Sequence, residues 1–327
     1  MRMRLSSSFA VLVLLFASLP AFASPPGWVF VVNKTPDGAV DNWLTDGHGE
    51  AAGTAWELLY HPVPFLDGGQ FLLPGQNRHV FHFERTVSMW DGVPRVFTEP
   101  GKGYDELFTV ETELGEIAPK GHSRFLVAER WNTRERGAHL IEFDANGRIR
   151  EIRFPELIDP ETNRAVGATH LELLRDRCTL LYTADSNRVL RMNLCTGAAL
   201  SDFATFDAGT TAGAIRALPN NDVLIANADL IHRFDASGAL LRTYLMPGVS
   251  HIALSLDGAS FYAAGVSDGE GVLRRFDLSI AASESVTVQL GRPGHAYPAT
   301  ETVALVVVNE WRAANADPGK TRSVGRH

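Results

Sequence analysis

His251-Ile-Ala-Leu-Ser-Leu-Asp257-Gly258, then Ser260-Phe-Tyr-Ala-Ala264, then Val272-Leu-Arg-Arg-Phe-Asp277: three short apolar-rich runs follow one another with turn residues between them. Each is too short for an amphipathic helix and long enough for a strand, and Asp-Gly is a strong hairpin signal. The stretch reads as three antiparallel strands of one small sheet.

The plan recurs along the chain. Ala214-Ile-Arg-Ala-Leu-Pro-Asn-Asn221, Asp222-Val-Leu-Ile-Ala226 and Leu230-Ile-His-Arg-Phe-Asp235 repeat it. A third copy begins His170-Leu-Glu-Leu-Leu-Arg-Asp176 and a fourth His61-Pro-Val-Pro-Phe-Leu-Asp67-Gly-Gly69. A looser copy covers residues 111–155 and contains Phe143-Asp-Ala-Asn-Gly147. A period of about 40 residues built from short strands and Asp-Gly turns indicates the four-stranded blades of a β-propeller. No stretch has a helical period. Thr302-Val-Ala-Leu-Val-Val-Val308 looks like an innermost strand without a successor, and Trp28-Val-Phe-Val-Val32 like a strand without a predecessor. Joined in one blade, with Trp28 and Trp311 as anchors, they would close the ring and protect its sheet edges. The expectation is an all-β, single-domain, monomeric six-bladed propeller over residues 24–312, with a polar tail at 313–327. Residues 34–58, hard to place, leave seven blades open.

The N-terminus predicts export. Arg2 and Arg4 precede an apolar run from Phe9 to Phe22 that ends at Ala21-Phe22-Ala23, a small-x-small cleavage pattern. Residues 1–23 are thus read as a signal peptide and the mature protein as periplasmic or secreted, with no membrane contact after cleavage. Removing Arg2 and Arg4 takes the formal charge from −8 to −10. An acidic chain without basic clusters is a poor nucleic-acid binder. Two cysteines meet this oxidising compartment, Cys178 and Cys195, at equal distances from a turn at Ser186-Asn187. They are expected to face each other across a hairpin and form a disulfide.

The run Cys178-Thr-Leu-Leu-Tyr-Thr183, with Val189-Leu-Arg-Met-Asn-Leu-Cys195-Thr-Gly197, resembles the paired-cysteine blade of secreted bacterial propellers related to NHL-repeat proteins. Leu218-Pro-Asn-Asn-Asp-Val-Leu-Ile-Ala226 resembles that group too. The resemblance covers roughly residues 110 to 310 and implies the fold; these proteins share no common activity.

Aligning the copies puts His61, His170 and His251 in one column, each six residues before its turn aspartate, Asp67, Asp176 or Asp257. Residues at the entrance of innermost strands line the central channel. In a six-bladed ring the three come from alternate blades. Three neutral imidazoles converging on an axis with a position left open suit a divalent metal, Zn2+ above all. The plain alternative is that each histidine packs its own strand, which is the reading for His79, His82, His122 and His232. The trio resembles the zinc site of the peptidyl-α-hydroxyglycine amidating lyases, six-bladed propellers of NHL type. That resemblance implies a tyrosine base and arginines, for which Tyr104, Tyr297, Tyr60 and Arg216 are the available counterparts. Glu113 and Glu116 near the column of the second blade, and Glu301 beside that of the sixth, are candidate proton acceptors. Glu172 and Arg216, two residues into adjacent inner strands, are placed to form an ion pair. Asp144, Asp235 and Asp277 end third strands and are read as turn residues.

Two functions follow from these residues. One is an exported metal-dependent lyase or hydrolase taking a small-molecule or peptide ligand in the channel mouth. The other is a non-catalytic propeller that binds a protein, peptide or glycan on its rim.

Overall fold

The computed structural model describes residues 28–34, 36, 40–45, 71–72, 79–83, 86–90, 105–109, 114–119, 124–129, 139–144, 147–153, 158–159, 164–165, 167–184, 186–255, 258–279, 285–288, 299 and 301–308. All regular structure among them is β. Successive hairpins give antiparallel four-stranded sheets. The clearest are β13 (His170–Leu173) to β16 (Ala198–Thr205), β17 (Ala212–Ala217) to β20 (Leu240–Leu245), and β21 (Val249–Leu254) to β24 (Ser285–Val288). Two earlier sheets run from β3 (Phe71–Leu72) to β6 (Asp105–Thr109) and from β7 (Leu114–Pro119) to β10 (Gly147–Arg153). A further sheet joins the far ends of the chain: β1 (Trp28–Lys34) pairs with β2 (Val40–Thr45) on one side and β25 (Glu301–Val308) on the other. In it Val31 lies opposite Leu305.

The first strands of consecutive sheets lie side by side, β3 by β7, β7 by β13, β13 by β17, β17 by β21 and β21 by β25. This is a propeller-like arrangement, and the burial follows from it. A second strand with a neighbouring sheet on both faces carries an unbroken apolar run. Val223-Leu-Ile-Ala-Asn227 is buried throughout, while the fourth strand β16 is exposed along most of its length. The cores lie between sheets. Leu181 and Val189 pack with Ile215, Val223 and Ile225 of the next sheet. Phe261, Phe276 and Tyr244 form an aromatic cluster between β17–β20 and β21–β24, with Phe261 stacked on Phe276 at 4.9 Å.

Polar residues close the turns. Asp268-Gly269 joins β22 (Ser260–Ser267) to β23 (Glu270–Asp277) as a two-residue loop with φ of 55° and 78°, the left-handed pair a tight hairpin demands. Asp235 and Asp277 each accept the backbone N–H two residues on, at 2.8 and 2.7 Å, which is the turn role their positions predict. At the entry to β21, Gly248 (φ 64°) and Gly265 face each other so closely that a Cβ on Gly265 would lie 2.0 Å from the Gly248 carbonyl oxygen.

The disulfide Cys178–Cys195 is present, with Cα atoms 5.3 Å apart. One detail differs from the sequence expectation. Thr179 pairs with Asn193, so the next residue out, Cys178, stands opposite Leu194, whose N–H donates to its carbonyl at 2.7 Å. The hairpin centres on Ser186 alone, and the bridge reaches one residue past the register. It does so through an Asx turn in which Asn193 Oδ1 accepts from the N–H groups of Cys195 and Thr196. A disulfide persists in an oxidising compartment and is rare in a reducing one. No helix among the described residues is long and apolar enough to cross a membrane.

Candidate functional site

In β13 His170 lies opposite Thr183, and in β21 His251 lies opposite Ala264. The two histidines thus hold the same position in sheets separated by a third, whose strand β17 has Ala214 there. Their rings stand edge to face, with centroids 6.3 Å apart and planes at 81°. Only a methyl group projects from Ala214, so nothing large on the intervening strand keeps the imidazoles apart. Two imidazoles on one tetrahedral ion with bonds of about 2.0–2.1 Å would have centroids about 5 Å apart. The observed spacing is about 1 Å wider, within reach of side-chain adjustment.

Two residues further along β13, on the same face by the strand's period of two, Glu172 meets Arg216 of β17. Arg216 Nη1 stands 3.8 Å from Glu172 Oε2, and both side chains are 19% exposed. The ion pair expected from the aligned strands is therefore present. Arg216 Nη1 also donates to the Ile215 carbonyl at 2.6 Å. The described inner strands thus present two imidazoles and, one pleat step away, a carboxylate beside a guanidinium.

A hydroxyl precedes each histidine. Thr169 Oγ1 donates to the carbonyl of Thr183, the residue opposite His170, at 3.2 Å. Ser250 Oγ donates to the carbonyl of Ala264, the residue opposite His251, at 3.4 Å. Ser250 Oγ also lies 3.0 Å from His251 Nδ1. Neighbours in a regular strand point to opposite faces. Here the register shifts between Val249 and His251, leaving Ser250 as the extra residue of a bulge, and a bulge re-aims a side chain. Ser250 was not among the residues singled out from sequence; its signal is the hydroxyl before the histidine, shared with Thr169.

The other sequence candidates divide by position. His61, Tyr60, Tyr104, Tyr297 and Glu113 lie outside the described residues. Glu116 falls within β7 and Glu301 opens β25. Leu72 pairs with His79 just as Leu173 pairs with Leu180 and Leu254 with Phe261. The register thus gives His170 and His251 a shared column, while His61 and Asp67 lie outside the described residues. In the second sheet, Ile117 opposite Val127 matches Ile215 opposite Ile225, which gives Glu116 the register position of Ala214. Among the described residues no group of three or more His, Cys, Asp and Glu is placed to hold a metal ion.

No protein-family profile matches the chain. No curated protein matches it either. Solved structures do. One is the crystal structure of a protein of unknown function from Bacteroides caccae, with a TM-score of 0.59 and 12% identity over 87% of this chain and 100% of that one. At that identity the likeness is one of fold alone.

Proposed function

We propose that residues 24–312 form an exported six-bladed propeller, closed by β1 and β25 in one sheet, whose channel mouth binds a divalent metal ion, Zn2+ in the first instance. His170 and His251 are the paired ligands. His61 is the third in this reading, and Glu116, in the matching register of β7, is its rival for that place. The observation that carries the reading is the approach of two imidazoles to 6.3 Å from strands that are not neighbours. A histidine that only packs its own strand has no reason to meet its counterpart two sheets away. A bound ion at this place supplies Lewis acidity, polarising a substrate oxygen or activating water, the chemistry of a lyase or hydrolase. Glu172 and Arg216 give the adjoining wall both charges, so it can bind a polar small molecule or peptide.

Metal content of the purified mature protein tests this, measured beside a His61→Ala/His170→Ala/His251→Ala variant. About one ion per chain, lost in the variant, supports the site. No metal in either, or equal metal in both, overturns it. Single His61→Ala and Glu116→Gln variants identify the third ligand. A second reading, a non-catalytic propeller that docks a partner on its rim, draws on Leu240, Leu241 and Leu245 of β20, which are 56%, 53% and 57% exposed.

A further inference from the structure

We infer that the Cys178–Cys195 bridge is an exchange site for anionic thiols and that Cys195 is the sulfur they attack; this is independent of the metal site proposed above. Exchange needs an attacking thiolate, a sulfur it can reach and a second thiolate that leaves readily. Reach separates the two cysteines. Cys195 opens an exposed run over residues 195–200, while Cys178 is half-buried. Cys195 stands on a turn fixed from within. Asn193 Oδ1 accepts from the N–H groups of Cys195 and Thr196 at 2.9 and 3.0 Å, and the Asn193 carbonyl accepts from Gly197 at 2.7 Å. Beside it Gly197 faces open space, where a Cβ would meet nothing within 4 Å. Cys178 is held into the sheet instead, its carbonyl accepting from the Leu194 N–H at 2.7 Å.

Charge favours the same direction. Cys178 follows Arg175-Asp176-Arg177, three exposed residues. Asp176 is engaged locally, accepting from the N–H groups of Cys178 and Thr179 at 3.0 and 2.8 Å and from the Thr179 hydroxyl at 2.6 Å. Two guanidiniums against one carboxylate leave this end of the hairpin positive, whereas residues 192–201 around Cys195 carry no charge. Positive charge draws in an anionic thiol and stabilises a thiolate leaving from Cys178. The incoming thiolate bonds to Cys195 Sγ, the S–S bond breaks, and its electron pair departs on Cys178 Sγ. The product is a mixed disulfide on Cys195 and a free thiolate on Cys178. A second equivalent of thiol then displaces Cys195 as its thiol, and the two incoming thiols leave as their own disulfide. The strands survive the opening, because β14 and β15 stay paired from Thr179 with Asn193 to Tyr182 with Leu190.

Glutathione, a thiol of net negative charge, tests the inference on the folded mature protein. The reaction is quenched with acid, free thiols are alkylated, and peptide mass spectrometry locates the adduct. The expected product carries glutathione on Cys195 and the alkyl group on Cys178, in excess over the reverse. Rates with glutathione and with cationic cysteamine, each taken per thiolate, are then compared in an Arg175→Gln/Arg177→Gln variant. The ratio of the two rates cancels any change in the leaving group, and the preference for glutathione is expected to fall about two- to fivefold, the range for exposed charges. Glutathione mainly on Cys178, or spread evenly, overturns the assignment of Cys195. An unchanged ratio in a variant with the parent's circular dichroism overturns the role given to the arginines. An adduct that forms only when the strands melt overturns the exchange site itself.

Discussion

Arg233 grips Asp222 with two nitrogens, Nε at 2.9 Å and Nη2 at 2.7 Å from the same Oδ2, while its Nη1 donates to the Leu278 carbonyl of the next sheet at 3.2 Å. Asp222 is 7% exposed. One guanidinium thus closes a hairpin within its own sheet and ties that sheet to its neighbour.

Removing either partner leaves the other charge poorly solvated. Asp222→Asn or Arg233→Met should cost about 2–3 kcal/mol, less than a fully buried pair because Arg233 keeps some access to water. Urea denaturation of each single variant and of the double variant checks this. The double variant should be less destabilised than the sum of the singles, and additive losses would contradict a direct pair.

Gly265 makes a second prediction, and this one reaches the histidines. A Cβ there would meet backbone, not a flexible side chain, so β21 or β22 must move. Gly265→Ala should destabilise by at least about 2 kcal/mol, as overpacking does. It should also shift the His251 imidazole resonances more than those of His232. Equal shifts at both would show a global loosening rather than displacement of β21.

The Cys178–Cys195 bridge predicts redox-dependent stability. Closing a hairpin loop of this size is worth about 3 kcal/mol in the chain-entropy model. Reduction, or a Cys178→Ser/Cys195→Ser variant, should lower the denaturation midpoint by the corresponding amount without changing the strand content seen by circular dichroism. Asp176 Oδ1 accepts from the N–H groups of Cys178 and Thr179 at 3.0 and 2.8 Å, and a variant as stable as the parent would mean that these bonds and those of Asn193 hold the hairpin unaided.

His232 predicts a pH dependence. It packs against Phe206, with ring centroids 5.1 Å apart, and its Nδ1 is 3.2 Å from Thr243 Oγ1. Burial disfavours the charged imidazole and pulls its pKa below the ordinary 6.5. A group with a depressed folded pKa contributes stability that is complete above its unfolded value and is lost as pH falls through the folded one. Stability should therefore decline from about pH 6.5 downward. His232→Phe should flatten that part of the profile. An unchanged slope would assign the effect to other histidines.

The fold was legible because its signals are local. Asp268-Gly269 turns as that dipeptide should, Asp235 and Asp277 cap the turns they end, and the apolar second strands announce double-sided cover. The Glu172–Arg216 pair was legible for a related reason: correct alignment of two well-defined strands carries their side chains into register. The first sheet shows the limit. Asp67-Gly68 has the chemistry of a hairpin turn, yet the pairing described in that sheet is of Leu72 with His79. A dipeptide propensity cannot outrank strand pairing, and pairing is non-local. Ser250 was hidden more deeply. A bulge is a property of two strands together, and no single-strand pattern says which face a side chain will take.

The pairing of β1 with β25 has a kinetic consequence. Residue 31 must find residue 305 across nearly the whole length of the polypeptide. Loop-closure entropy grows only as the logarithm of length, so this contact is not intrinsically weak; it is late, because contacts so distant along the chain slow folding. A chain synthesised from its N-terminus delivers β1 well before β25. Throughout that interval the Val-rich edge of β1 waits for its partner, an adhesive surface that other nascent chains could capture first. The step most exposed to misassembly is therefore the meeting of β1 with β25.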